Sequence, residues 1–140
     1  MIFSIDAQSK RFVAHVAHDG IETYDCTADA CGNPVCRCRT TRVLMRPRTP
    51  GLPVREAIFN LDVGAIDEPF RKRTSPDALA FGELLLSAMD AADFELLGGL
   101  HYALKNRICE EAAPSEIEAR FDFDEMAKIL QPVLPEGSVA

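Results

Sequence analysis

Four of the five cysteines in this chain, Cys26, Cys31, Cys36 and Cys38, fall within the thirteen residues Cys26-Thr-Ala-Asp-Ala-Cys-Gly-Asn-Pro-Val-Cys-Arg-Cys38. Thiols this dense are ordinarily brought together by a metal, a disulfide or redox chemistry, and each of these fixes the path of the chain around them. Four thiolates fill the four positions of a closed tetrahedral zinc site, where bonds of about 2.3 Å set the sulfurs roughly 3.8 Å apart. The segment must therefore fold back on itself. Asn33 and Pro34, preceded by Gly32, supply the means: Gly tolerates positive φ, Asn can bond its own backbone, and Pro fixes φ. A reversal there converges the thiols on either side. Cys36 and Cys38, two apart in an extended chain, share one face about 6.6–6.8 Å apart at Cα, which suits two ligands of one ion and strains a disulfide.

The spacing C-x4-C-x4-C-x-C is not the paired C-x2-C of zinc fingers and ribbons. Nor does it match the C-x2-C-x2-C or C-x4-C-x2-C runs that hold iron–sulfur clusters, so zinc leads iron–sulfur as the expected cofactor. Redox-active thiols and unligated cysteines remain as alternatives. The N-terminal Met-Ile-Phe-Ser-Ile-Asp lacks the basic and apolar regions of a secretory signal, which favours a cytoplasmic address over a disulfide framework.

The segment Cys31-Gly-Asn-Pro-Val-Cys-Arg-Cys-Arg39, running into Thr-Thr-Arg-Val-Leu-Met45, resembles the C-x-N-P-x-C-x-C segment of small bacterial cysteine-rich proteins, some of which carry SEC-C-type zinc motifs. The likeness covers about a tenth of the chain. It implies zinc on Cys26, Cys31, Cys36 and Cys38, and it implies no activity.

Hydropathy patterning places this motif in an α+β fold. At 140 residues and 47% hydrophobic content the chain can bury one ordinary core, and its apolar runs stay well short of a membrane span. Alternating residues predict antiparallel strands at 11–17 and 21–25, joined by Asp19-Gly20, then the cysteine knuckle at 26–38 and strands at 38–46 and 55–63. In the last of these, Phe59, Leu61 and Val63 face a core. From residue 74 the pattern becomes helical. Ser75-Pro76-Asp77 caps a helix over 76–90; Asp93 caps a second, carrying Leu96, Leu97, Leu100, Leu104 and Ile108, with Gly98-Gly99 marking a kink or a close approach. Asp122 and Glu125 cap a third before Met126, Ile129 and Leu130, which Pro132 stops. The expected layout is one domain over 1–140, β-rich over 1–73, helical over 74–131, with a frayed tail at 132–140.

Charge divides at the same boundary, with net +2 over 1–73 and −9 over 74–140. Arg37, Arg39, Arg42, Arg46, Arg48 and Arg55 form the one basic stretch. Clustered Arg attracts phosphate, yet a nucleic-acid domain is expected to be basic overall and to carry stacking rings, whereas this chain is acidic and has no Trp. Arg beside a thiolate–zinc centre has a second use, offsetting its negative charge. A protein partner is therefore expected ahead of nucleic acid. His15 and His18 could ligate a metal only if a cysteine were left out. His101 and Cys109 stand eight helical residues apart, about 12 Å, too far to pair as nucleophile and base, and Cys109 reads as a small core residue. No phosphate loop, H-E-x-x-H pair or nucleophile elbow is present, and no catalytic residue is assigned. Two function classes follow: a non-enzymatic interaction module with a structural zinc site, and a metal- or thiol-dependent enzyme or redox sensor.

Overall fold

The computed structural model describes residues 1–18 and 20–112. It is α+β, as the patterning predicts: six antiparallel strands form one meander, β1 (Phe3–Ile5), β2 (Phe12–Ala17), β3 (Ile21–Ala30), β4 (Thr40–Pro47), β5 (Arg55–Asn60) and β6 (Ala65–Ile66), hydrogen-bonded in chain order. Among the described residues three helices follow: α1 (Glu68–Arg73), α2 (Pro76–Ala88) and α3 (Ala91–Glu111). The third expected helix, with Asp122 and Glu125, and the tail lie outside the described residues.

Strict period-two burial decides which face of the sheet is covered. Along β4, Thr41, Val43 and Met45 are fully buried while Arg42 and Arg46 are exposed, as the pleat requires. Their partners carry the same face across the sheet, with Thr41 opposite Phe59, Val43 opposite Ala57 and Met45 opposite Cys26. Onto this face pack Phe70, Phe81, Leu85 and Leu97 of the helices, forming one hydrophobic cluster with the strands. An added Cβ on Gly82 would stand 2.9 Å from Ile66 Cδ1, so α2 can approach β6 this closely only with glycine there.

The basic stretch is largely matched by acids, Arg42 on the outer face and Arg55 on the helix side, where its guanidinium lies 4.8 Å from the Phe81 ring centroid. Arg42 meets Glu56 at 2.7 Å, Arg48 meets Asp25 at 3.1 Å and Arg55 meets Asp77 at 2.6 Å, while Arg39 lies 3.8 Å from Asp62. Exposed pairs of this kind add little stability, but they leave less free cationic surface than six arginines in sequence suggest.

Several boundaries differ from the sequence reading. The strand expected to stop at residue 25 runs on to Ala30, because register with β4 continues to the pair Ala30–Thr41. The strand expected through residue 63 ends at Asn60, and Val63 is 71% exposed in the turn beyond it. Asp90, not Asp93, caps α3. Asp93 sits at the third position of a capping box and, fully buried, accepts backbone N–H bonds from Ile2 and Phe3 at 2.9–3.1 Å, fastening β1 to the helix. Gly98-Gly99 does not interrupt α3. An added Cβ on Gly98 would lie 3.2 Å from Arg39 Nη2, so the close approach occurs without a kink.

Candidate metal centre

Between β3 and β4 the chain makes a nine-residue connection, 31–39, with no helix or strand of its own. It reverses at Asn33-Pro34: the Val35 N–H donates to Asn33 Oδ1 at 3.1 Å, and the Cys36 N–H to the Asn33 carbonyl at 3.2 Å. An Asx bond closing a turn around a proline is the local chemistry these residue types dictate. The Cys31, Cys36 and Cys38 sulfurs consequently all lie within 4.8 Å of one another, each half-buried. Three soft donors at this separation could hold a metal ion, the spacing needing to tighten by only about 1 Å to reach zinc–thiolate geometry.

Cys26, expected as the fourth ligand, does not join them. It lies in the middle of β3 with its side chain in the core, 8% exposed and opposite Met45, and its thiol faces the Tyr24 carbonyl at 3.7 Å. Four more strand residues separate it from the loop, about 13 Å at roughly 3.3 Å per residue. The knuckle thus begins at Cys31, and the strand, which the sequence spacing does not reveal, takes Cys26 away. Burial pushes the Cys26 thiol up to about 12, with Asp25 adding to the effect, which suits a neutral core thiol.

Within the cluster the backbone differentiates the thiols. The Cys38 N–H, donating to the Cys36 sulfur, is the main influence holding Cys36 below its usual value, with side-chain bonds from Cys38 and Cys31 and the Lys105 charge assisting. Burial is the main influence raising Cys38. Cys36 is accordingly the first of the pair to become a thiolate, the form that binds metal.

The loop is held from one side by a stripe on α3. His101, Lys105 and Cys109, spaced by four, share one helical face. Each bonds a loop carbonyl: His101 Nε2 donates to Cys38 O at 3.1 Å, Lys105 Nζ to Cys31 O at 2.9 Å and Asn33 O at 2.7 Å, and Cys109 Sγ to Pro34 O at 3.1 Å. Since a carbonyl can only accept, the proton is on Nε2, and Nδ1 of the neutral ring takes the Thr41 hydroxyl at 2.9 Å. Burial is the main influence lowering the His101 pKa and keeping that ring neutral. The spacing 101/105/109 is visible in the sequence; the loop it holds, some seventy residues upstream, is not. Cys109 is exposed rather than part of the core, which corrects its expected place.

Between this stripe and the loop lies an open cleft of about 730 Å³, walled by Cys36, Cys38, His101, Tyr102, Lys105 and Cys109 among others. Cys31 and Cys38 also border a second cleft, with Asp29, Arg42 and Arg73. His15, on β2, bonds Thr23, and His18 borders clefts near Tyr24 and Arg55, so neither stands at the thiol cluster.

Comparison with protein-family models, with curated proteins and with solved structures finds no match to this chain. Among the described residues, no helix is long and apolar enough to cross a membrane.

Proposed function

We propose that this chain is a zinc-binding protein in which Cys31, Cys36 and Cys38 hold the ion, and that the metal serves to order a surface for a protein partner rather than to catalyse a reaction. The observation that carries the reading is the convergence of three thiols within 4.8 Å on a loop whose apolar anchors are Pro34 and Val35 alone. Thiolate donors suit zinc, and the likeness of the 31–39 segment to SEC-C-type cysteine motifs supports the same ion. A reducing compartment such as the cytoplasm keeps such thiols free to bind metal. A protein partner is favoured over nucleic acid because four of the six clustered arginines already face acids.

One observation favours the enzymatic alternative. Three ligands, not four, converge, and three protein ligands beside a cleft describe a catalytic zinc with an open position. Elemental analysis of the purified protein with a free-thiol count before and after chelation tests the metal reading. One equivalent of zinc, with three or more thiols unmasked by chelation, is expected. Less than about half an equivalent, with no iron or copper in its place, overturns it, since thiolate zinc sites hold their metal tightly.

A further inference from the structure

Three thiolates leave zinc one donor short of a closed tetrahedral site. The cleft walls offer few candidates for the fourth. His101 has both ring nitrogens engaged, one with the Cys38 carbonyl and one with the Thr41 hydroxyl. Lys105 has its ammonium bound by two carbonyls and carries no free lone pair. Cys109 remains. Its sulfur is turned onto the loop, 3.1 Å from the carbonyl of Pro34, two residues before Cys36, and it shares a cleft wall with both Cys36 and Cys38.

We propose that Cys109 is the fourth protein ligand of the metal, so that the ion bolts the 31–39 loop to α3; this rests on the metal reading of Cys31, Cys36 and Cys38. The Cys109 sulfur lies outside the 4.8 Å cluster of the other three, so binding has to draw it in: it gives up a weak S–H donor contact and moves by a change of χ1. On binding, each thiol that is still protonated releases its proton to solvent, four sulfur–metal bonds form, and nothing is oxidised or reduced. The stripe on α3 then has one purpose along its length: His101 and Lys105 hold the loop's carbonyls, and Cys109 closes the site the loop begins. The fourth ligand so comes not from the strand before the loop, where sequence proximity places it, but from a helix some seventy residues away.

The test uses cobalt(II) as a spectroscopic substitute for zinc in the full chain, comparing wild type, Cys109→Ala and Cys26→Ala. Wild type and Cys26→Ala are expected to show the same thiolate-to-cobalt charge-transfer band, and Cys109→Ala a band weaker by about a quarter, as three sulfurs replace four. Zinc affinity, from competition with a chelator, should fall at least about tenfold in Cys109→Ala, the lower edge of what losing even an outer-shell partner costs. Residue 109 is exposed, so circular dichroism should show the variant folded. If Cys109→Ala binds cobalt and zinc like wild type, the fourth-ligand proposal fails while the three-thiol reading stands. If wild type binds neither metal, the metal reading fails, and this proposal with it.

Discussion

The chain on the two sides of Ala30 is held by different physics. Up to Ala30, β3 is ordered by a ladder to β4 and by Tyr24 and Cys26 buried in the common core. From Cys31 to Arg39 there is no ladder. Val35 is the one large aliphatic side chain, and the loop is held by side chains of α3 reaching for its carbonyls. Ordering a residue costs about 1–2 kcal/mol of backbone entropy, which burial offsets in the first region and polar clasps, with the proposed metal, offset in the second. One residue type shows the contrast: Cys26 is a core side chain, whereas Cys38, twelve positions on, is half-buried in a cluster of three thiols.

If that division is real, damage to the two regions should separate cleanly. The largest effect belongs to the core. Phe59→Ala removes a fully buried ring opposite both Thr41 and Ile66, and should destabilise the protein by about 3–5 kcal/mol in urea unfolding, with strands and helices lost together. A loss under about 1 kcal/mol would show that the sheet–helix cluster is not the principal support.

Removing the proposed metal should do less and do it locally. After chelation, or in Cys38→Ser, protease cuts should appear within 31–39 and amide exchange should quicken there and in the C-terminal turns of α3, while most helical circular dichroism survives. Loss of the helical signal on chelation would mean instead that the metal supports the whole fold.

Smaller still is the clasp. Lys105→Met deletes two charge-assisted bonds to Cys31 and Asn33 carbonyls, and should weaken loop protection by about 1–2 kcal/mol in hydrogen exchange without altering exchange in β2. Equal changes in both places would place Lys105 among the general supports of the fold.

The effect that vanishes at neutral pH, and is the least one there, concerns Cys26. Its thiol is raised to about 12 from a usual 9.0, so above pH 9 the unfolded state holds fewer protons than the folded one. Stability from this group is therefore complete below pH 9 and declines through the interval up to 12, at no more than about 1.4 kcal/mol per pH unit. Cys26→Ala should flatten that part of the stability–pH curve. An unchanged slope would contradict the burial.

What the sequence discloses follows the range of the interactions involved. The strands at 12–17, 40–47 and 55–60 and the helix opened by Ser75-Pro76 are legible because alternation, caps and helical spacing are local signals. β1 and β6, with three and two residues, are too short to show a period and exist through pairing with Ala14 and Phe59. The turn at Asn33-Pro34 is legible for the same local reason as the caps. The membership of the thiol cluster is not. In Thr27-Ala28-Asp29-Ala30 only Thr27 favours a strand, and the register with Thr41–Leu44 keeps the segment extended and carries Cys26 out of reach. Cys109 is misplaced for a related reason: helical spacing assigns it a face of α3 but cannot say that the face meets a loop rather than the core.

The division between core thiol and loop thiols is tested most directly by the zinc content of Cys26→Ala and Cys38→Ser, each purified as the full chain alongside wild type. The proposed zinc site on Cys31, Cys36 and Cys38 predicts a wild-type equivalent of zinc in Cys26→Ala and a loss of most of it in Cys38→Ser. Zinc lost from Cys26→Ala while its circular dichroism remains that of the folded protein would contradict the account, because it would make Cys26 a ligand that β3 has to release from the core.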